Sequence, residues 1–257
     1  MYKPVITPKT ANITVVENTN LGVNSYEMDE LWSPDTDIWK SKVLDVGSPK
    51  YNTNSTYWFD RSRYRNHGTI TGAVWKQLAS GAWVLSMDGT DDYAELDDGS
   101  VASQLNFTSG DFTLLFCGSA PNLSGIQVIY QRGAYNTDGF YWMITSGGEM
   151  DVYTNQSGAS QRNLSSSGYV DDKVRLYTVV RKGTAITFYR DAQEVPKSVT
   201  TAITDPASCA RTAKLGIHDD KSQRGWNGLY IFFKAFSMAL SQPEIEQIYH
   251  SIIWRYR

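Results

Sequence analysis

Long apolar runs are absent from this 257-residue sequence, and with no stretch of eighteen apolar residues a membrane-spanning helix is excluded. The opening Met1-Tyr-Lys-Pro-Val-Ile-Thr-Pro also lacks the apolar stretch of a secretory signal, so the expectation is a protein made and kept in a cytoplasm. Cysteine is scarce. Cys117 and Cys209 are too few for a disulfide-built scaffold; a single bridge between them stays open, and the apolar run around Cys117 predicts a buried free thiol. The three histidines, His67, His218 and His250, are far apart. They have neither metal-type spacing nor a nucleophile-elbow partner, which argues against a zinc site or a hydrolase triad. Net charge is small as well: 24 basic and 27 acidic residues are interspersed to give -3, so no basic stripe offers a footprint for nucleic acid.

What the sequence does contain is apolar and aromatic surface in short pieces. Hydrophobic residues make up 41% and aromatics 13%, with eight Trp and sixteen Tyr, enough for one large core of the size that β-sandwiches reach. Period-two alternation marks the strands. Phe112, Leu114 and Phe116 share a face, as do Val174, Leu176, Thr178 and Val180, and then Ile186 and Phe188. Leu229, Ile231, Phe233 and Ala235 alternate with Tyr230, Phe232, Lys234 and Phe236, which predicts a central strand with apolar surface on both sides. Gly- and Asp-rich turns such as Asp88-Gly-Thr-Asp-Asp, Asp138-Gly and Lys182-Gly-Thr separate these runs at antiparallel spacing. The Ser-, Asn- and Gln-rich stretch from Asn155 to Gly168 reads as a long exposed loop. A single helix is signalled at the end: Ser241 as cap, Glu244 completing a capping box, Pro243 in the first turn, and Ile245, Ile248, Tyr249 and Ile252 on one docking face.

Residues 1–35 are polar with short apolar patches and carry at most one strand, Ile13 to Val16, so they read as an extended arm ahead of a domain over residues 36–257. Six Asn-x-Ser/Thr sequons, at Asn12, Asn54, Asn106, Asn122, Asn155 and Asn163, are what an Asn- and Ser-rich surface generates by chance.

Four motifs carry a family resemblance. Asp60-Arg-Ser-Arg-Tyr-Arg-Asn-His-Gly-Thr-Ile resembles the opening segment of laminin-G-like and pentraxin-like jelly rolls, members of the concanavalin A-like lectin and glucanase superfamily, with Tyr64 and arginines in place of its glycines. Leu85-Ser-Met-Asp-Gly-Thr-Asp-Asp-Tyr-Ala-Glu-Leu96, followed by Gly110-Asp-Phe-Thr-Leu-Leu-Phe116, is similar to the hallmark hairpin and the strand after it. Val179 to Asp191 resembles a later hairpin, with Ala192 where many relatives have Gly. Asn227 to Tyr249 resembles the closing strand and helix. The matches keep their order from Asp60 to Tyr249, about three quarters of the chain. The fold implied is an all-β, two-sheet antiparallel jelly roll with a short C-terminal helix and an N-terminal arm.

Catalysis finds little support. Glucanases of this superfamily carry Glu-x-Asp-x-Glu on one strand face; Glu27-Met-Asp-Glu30 is one residue short, so Glu30 would point the other way. No catalytic residue and no cofactor are assigned. The carboxylates of Asp88, Asp91 and Asp92 can offer calcium its oxygen ligands, although Asp and Gly are also what tight turns require, and the metal ligands stay unassigned. Tyr135, Tyr153, Tyr169 and Trp226 lie near turns, where a flat ring can stack on a sugar. His67, in the Asn-His-Gly motif, reads as structural.

Two functions fit these observations. The first is a virion component of a phage, a capsid decoration or tail-associated protein, that forms a homo-oligomer and attaches its arm to neighbouring subunits in a host cytoplasm. The second is a carbohydrate- or receptor-binding adhesion module.

Overall fold

The computed structural model describes residues 37–47, 56–96 and 103–256. The arm read over residues 1–35, with Glu27, Asp29 and Glu30, lies outside them. In chain order a single helical turn, α1 (Asp37–Ser41), leads into β1 (Lys42–Val46), β2 (Tyr57–Trp58), β3 (Gly68–Thr71), β4 (Val74–Gln77), β5 (Trp83–Asp88) and β6 (Tyr93–Leu96). There follow β7 (Phe112–Ser119), β8 (Gln127–Ala134), β9 (Asp138–Ile144), β10 (Met150–Gln156), β11 (Ala159–Ser165) and β12 (Arg175–Lys182). The chain closes with β13 (Ala185–Arg190), β14 (Gln193–Val195), β15 (Lys197–Val199), β16 (Lys214–Leu215), β17 (Asn227–Phe236) and α2 (Gln242–Ile252).

These strands form two antiparallel sheets. The eight-stranded sheet runs β14-β13-β12-β7-β17-β5-β4, with β1 also paired to β17; the nine-stranded sheet runs β15-β11-β10-β9-β8-β16-β6-β3-β2. Phe112, Leu114 and Phe116 point between the sheets with Ile186 and Phe188, and meet Phe140, Trp142 and Ile144 from the other layer. Each such side chain contributes roughly 1.5–3 kcal/mol by burial. The opposite face of the eight-stranded sheet is buried too: Leu115, Cys117, Leu176 and Val180 pack with Ile245, Ile248 and Ile252 of α2. The helix begins as its sequence predicts, with the Ser241 N–H donating to the Glu244 carboxylate at 2.6 Å and Pro243 in the first turn.

The central position of β17 holds, since it pairs with β7, β5 and β1. Its strict alternation does not. A β-bulge between Tyr230 and Phe232 inserts one residue, so Tyr230 faces the inter-sheet core while Ile231 and Phe232 both face the helix layer, and Phe233 and Ala235 then face the core. The extra residue resets the two-residue period.

The stretch from Asn155 to Gly168 is also different from a loop. Most of it belongs to a hairpin in which β10 and β11 pair from Asp151↔Leu164 to Gln156↔Ala159, turning at Gly158 with φ +74. Three of its polar residues, Asn155, Asn163 and Ser165, are buried, and each bonds a backbone group. Asn155 Nδ2 donates to the Gly139 carbonyl at 3.3 Å, Asn163 Nδ2 to the Thr201 carbonyl at 2.9 Å, and Ser165 Oγ accepts from the Met150 N–H at 2.9 Å. Composition hides this, because a satisfied amide costs little inside a fold.

Between β13 and β14, Asp191 and Ala192 both have positive φ, +51 and +64, as a type I′ turn requires. Ala192 thus takes the left-handed conformation at the position where many relatives have Gly, and Asp191 holds the turn in place. The Asp191 N–H donates to the Leu176 carbonyl at 2.7 Å and its carboxylate accepts from the Leu176 N–H at 3.0 Å, anchoring the turn to β12.

The opening motif proves to be a staple. Buried Asp60 accepts from the Asp45 N–H, the Ser62 N–H and hydroxyl, and the Asn66 N–H, all at 2.7–2.8 Å. His67 Nδ1 accepts the Asp60 N–H at 3.0 Å, which gives that histidine the structural role read from sequence. Replacing Asp60 by Ala leaves four donors without their acceptor. The expected result is a loss of roughly 3 kcal/mol or more in denaturant-induced unfolding.

Asp45, beside it, is buried and receives Lys42 Nζ at 3.0 Å, Arg61 Nη2 at 3.0 Å and Lys234 Nζ at 3.4 Å. Burial alone would raise this carboxyl, but Arg61, Lys234 and Lys42 outweigh it and hold it well below the ordinary carboxylate range. A depressed folded pKa means stability that is present above pH ~4 and is lost as pH falls towards the depressed value. Urea midpoints followed from pH ~5 to ~2 should therefore fall, and Asp45→Asn should start lower and lose less over that window.

Candidate ligand-binding face

With the helix layer on one sheet and the core between the two, the outer face of the nine-stranded sheet carries the candidate surface, covered at its centre, where Tyr141, Gln131 and Lys214 are buried, and accessible towards its β10–β11 end. Cross-strand partners point to the same side. Registers therefore place Arg162 of β11, Tyr153 of β10, Tyr141 of β9, Gln131 of β8, Lys214 of β16, Glu95 of β6 and Thr69 of β3 in one row across seven strands. At about 4.8 Å per strand the row spans roughly 29 Å.

Its accessible end is aromatic. Tyr135, at the β8–β9 turn, is 60% exposed and meets Tyr153 edge to face, with ring centroids 5.9 Å apart. Tyr153 stacks on buried Tyr141 at 4.9 Å, and Val128 and Met143 pack beside them in the next row of the same face. The Arg162 guanidinium lies 5.6 Å from the Tyr153 ring centre. It is fixed there by Asp151, whose oxygens accept from Nε at 2.9 Å and Nη2 at 2.8 Å, a forked geometry that removes much of the rotamer freedom of Arg162. Burial holds the Asp151 carboxyl above its ordinary range although Arg162 pulls it the other way, and the same pairing raises Arg162. Arg224 reaches this end of the sheet through its carbonyl, which accepts the Val128 N–H at 2.9 Å. Burial raises the Tyr141 and Tyr153 phenols, and the positive charge of Arg224 acts against that rise.

Further along the row the charges are paired. Lys214 meets Asp219 at 2.8 Å and Glu95 at 3.6 Å, Lys221 meets Glu95 at 2.7 Å, and Arg211 bridges Asp138 and Asp219 at 2.6 and 3.1 Å. The arrangement offers ring faces for an apolar surface, with fixed guanidinium and hydroxyl groups beside them for polar substituents.

Of the four aromatics singled out from sequence, the fold brings together Tyr135 and Tyr153. Tyr169 packs against the inter-sheet core under the Arg190 guanidinium, 5.2 Å away. Trp226 is fully buried and meets Phe116 edge to face at 4.8 Å, so it cannot stack on a ligand. It turns inward because Gly225 and its own N–H, donating to the Gly216 carbonyl at 2.7 Å, tie the turn to the sheet. Tyr141, Asp151, Arg162 and Arg224 were not found from sequence. Alternation puts Tyr141 with Met143 and Asp151 with Tyr153, but only the register joins these pairs.

His218 pairs with Asp220 at 3.2 Å, and His250 lies 3.7 Å from Glu246 on α2, so the three histidines do not converge. Cys117 and Cys209 are both buried, and no disulfide joins them. Among the sequons, Asn106, Asn155 and Asn163 are buried and Asn122 is exposed; Asn12 and Asn54 lie outside the described residues.

Asp88, Asp91 and Asp92 do converge, with one oxygen from each within 4.8 Å of the others. Two of them are already acceptors for the turn itself. Asp88 takes the Thr90 N–H at 2.7 Å and buried Asp92 takes the Asp88 N–H at 2.8 Å, while a Cβ at Gly72 would collide with Asp92. The set therefore fits calcium poorly. Burial, followed by the charges of Asp88 and Asp91, raises the Asp92 carboxyl despite its backbone hydrogen bond, so the ionised form is disfavoured in the fold and this group's contribution falls as pH rises above ~4. Asp92→Asn keeps an acceptor and removes the repulsion. It is expected to raise the Tm at neutral pH, and millimolar calcium is expected to leave the wild-type Tm unmoved; a rise with calcium would assign the ion to this turn.

A model of the concanavalin A-like lectin/glucanases superfamily matches residues 88–246, more than half of the sequence, and the chain belongs to that superfamily. No curated protein matches it in sequence. Solved structures share the fold. The binding domain of Paraclostridial Mosquitocidal Protein 1 superposes with a TM-score of 0.64 at 13% identity, over 83% of this chain and 52% of that one. The binding domain of Botulinum neurotoxin DC, solved in complex with rat synaptotagmin II, gives 0.61 at 14% identity over 83% and 52%. The Botulinum neurotoxin serotype D ligand binding domain, in complex with N-acetylneuraminic acid, gives 0.59 at 15% identity over 83% and 51%. This chain thus spans about half the length of those structures.

Proposed function

We propose that the chain is a non-enzymatic binding module that recognises a glycan on the outer face of the nine-stranded sheet. The observation that carries this reading is the Tyr135–Tyr153–Tyr141 cluster beside the Arg162–Asp151 fork. The exposed rings suit the C–H face of a sugar, while Arg162 supplies directed donors to hydroxyl or carboxylate groups. The structural relatives are binding domains, one of them solved with a sialic acid, which supports the class of activity. Their ligands need not lie on the half that this chain matches, so the residues proposed here come from this chain's own surface.

The reading as a virion component rests on the arm, outside the described residues, and the fold adds no support of its own to it. Recognition of a host-surface glycan favours adhesion over assembly, with surface glycans as partners and no helix among the described residues long and apolar enough to cross a membrane.

Glycan-array screening of the full chain, followed by titration of the best ligand, tests the proposal. Tyr135→Ala and Arg162→Ala are expected to weaken binding by about tenfold each, in line with one stacking contact and one charged hydrogen bond. Calorimetric melts should show that the Tyr135 variant keeps its fold, because this ring is mostly exposed. A clean negative across the array, or unchanged affinity in both variants, removes the assignment.

A further inference from the structure

A second surface stands apart from the tyrosine face. A cleft of about 210 Å³ opens between α1 and the Asp60–Asn66 turn, lined by Trp39, Lys40, Lys42, Ser62 and Arg63. Its floor is set by contacts already described: buried Lys42 holds its ammonium 3.0 Å from Asp45 and 4.2 Å from the centre of the Trp39 ring, and Ser62 donates to Asp60 at 2.7 Å. Its rim is cationic and aromatic. Lys40 and Arg63 are exposed, and Arg63 Nη2 donates to the Tyr64 hydroxyl at 2.8 Å with its guanidinium 4.9 Å from the ring centre. Arg61 and Lys234 stand directly behind, converging on Asp45.

Two features indicate the kind of ligand. The cleft is lined by Lys40, Lys42 and Arg63 with no carboxylate among its lining residues, in a chain whose net charge is -3. Two of the eight exposed large apolar side chains among the described residues, Trp39 and Tyr64, also fall on the two segments that frame it, and Tyr57 and Phe59 lie just ahead of the turn. Trp39 and Tyr64 are each 37% exposed, with the ring partly seated and one edge in water. A free anion has no use for such rings, whereas Trp and Tyr beside Lys and Arg suit the boundary between lipid headgroups and water.

We propose that this cleft takes the phosphate of an anionic lipid headgroup, with Lys40 and Arg63 as donors and Trp39 and Tyr64 at the membrane–water boundary. The volume admits one headgroup phosphate rather than an acyl chain. This site is independent of the glycan-binding reading and uses none of its residues.

Co-sedimentation of the full chain with phosphatidylcholine vesicles, with and without about one fifth phosphatidic acid, reads the interaction directly. Pelleting is expected only with the anionic vesicles and should decline with added salt. The double variant Lys40→Glu, Arg63→Glu, changed only at exposed positions, is expected to lose about tenfold or more in vesicle affinity, while Lys40→Arg with Arg63→Lys retains it. Displacement by millimolar inorganic phosphate would support the same donors with the free anion as a second source. Equal pelleting with pure phosphatidylcholine, or by the charge-reversed variant, overturns the proposal. So does retention on heparin, lost on charge reversal, without vesicle binding. Glycan affinity measured on the charge-reversed variant should stay at the wild-type value, which separates failure here from failure of the sheet-face reading.

Discussion

The structure depends on β17 having to bury both of its faces. One face closes the space between the two sheets through Tyr230, Phe233 and Ala235, and the other receives α2 through Ile231, Phe232 and Phe236. A strand in this position cannot lie at an edge, and β7, β5 and β1 accordingly pair along it. Covering the outer face of the eight-stranded sheet with α2 has a second consequence. Recognition is left to the outer face of the nine-stranded sheet, accessible at its β10–β11 end, and the tyrosine cluster lies there because the inner face is already packed.

Polar groups do more of the internal bonding than composition suggests. Asp60 gathers four donors, Asn155 and Asn163 each bond a backbone carbonyl, and buried Arg132 donates to Asn106 at 3.2 Å and to the Cys209 carbonyl at 2.9 Å. Each satisfied group ties a loop to the sandwich at a defined place, since an unsatisfied one would cost about 1–3 kcal/mol. The Arg162–Asp151 fork follows the same rule at the surface, where a paired carboxylate aims a guanidinium along the sheet.

The two proposed surfaces differ in what holds them. On the sheet face, adjacent strands place rings and guanidinium in register, so the spacing is set by backbone pairing. At the cleft, α1 and the Asp60–Asn66 turn are brought together by Asp45 and Asp60, whose partners span β1, β17 and the turn. A module that reads a glycan with one surface and a headgroup with another would gain avidity at a cell surface, because the second contact forms at high effective concentration.

Period-two alternation, turn chemistry and the capping box of α2 were enough to determine an all-β sandwich with one terminal helix, and His67 and Cys117 were placed correctly from their local motifs. These are properties of neighbouring residues, and steric and hydrogen-bonding preferences over a few residues decide them. The bulge in β17, the hairpin within Asn155–Gly168, the burial of Trp226 and the row from Arg162 to Thr69 were decided only by tertiary structure. Register is a relation between distant strands, and one inserted residue or one well-satisfied asparagine changes which face a side chain meets without altering the local pattern that announces a strand.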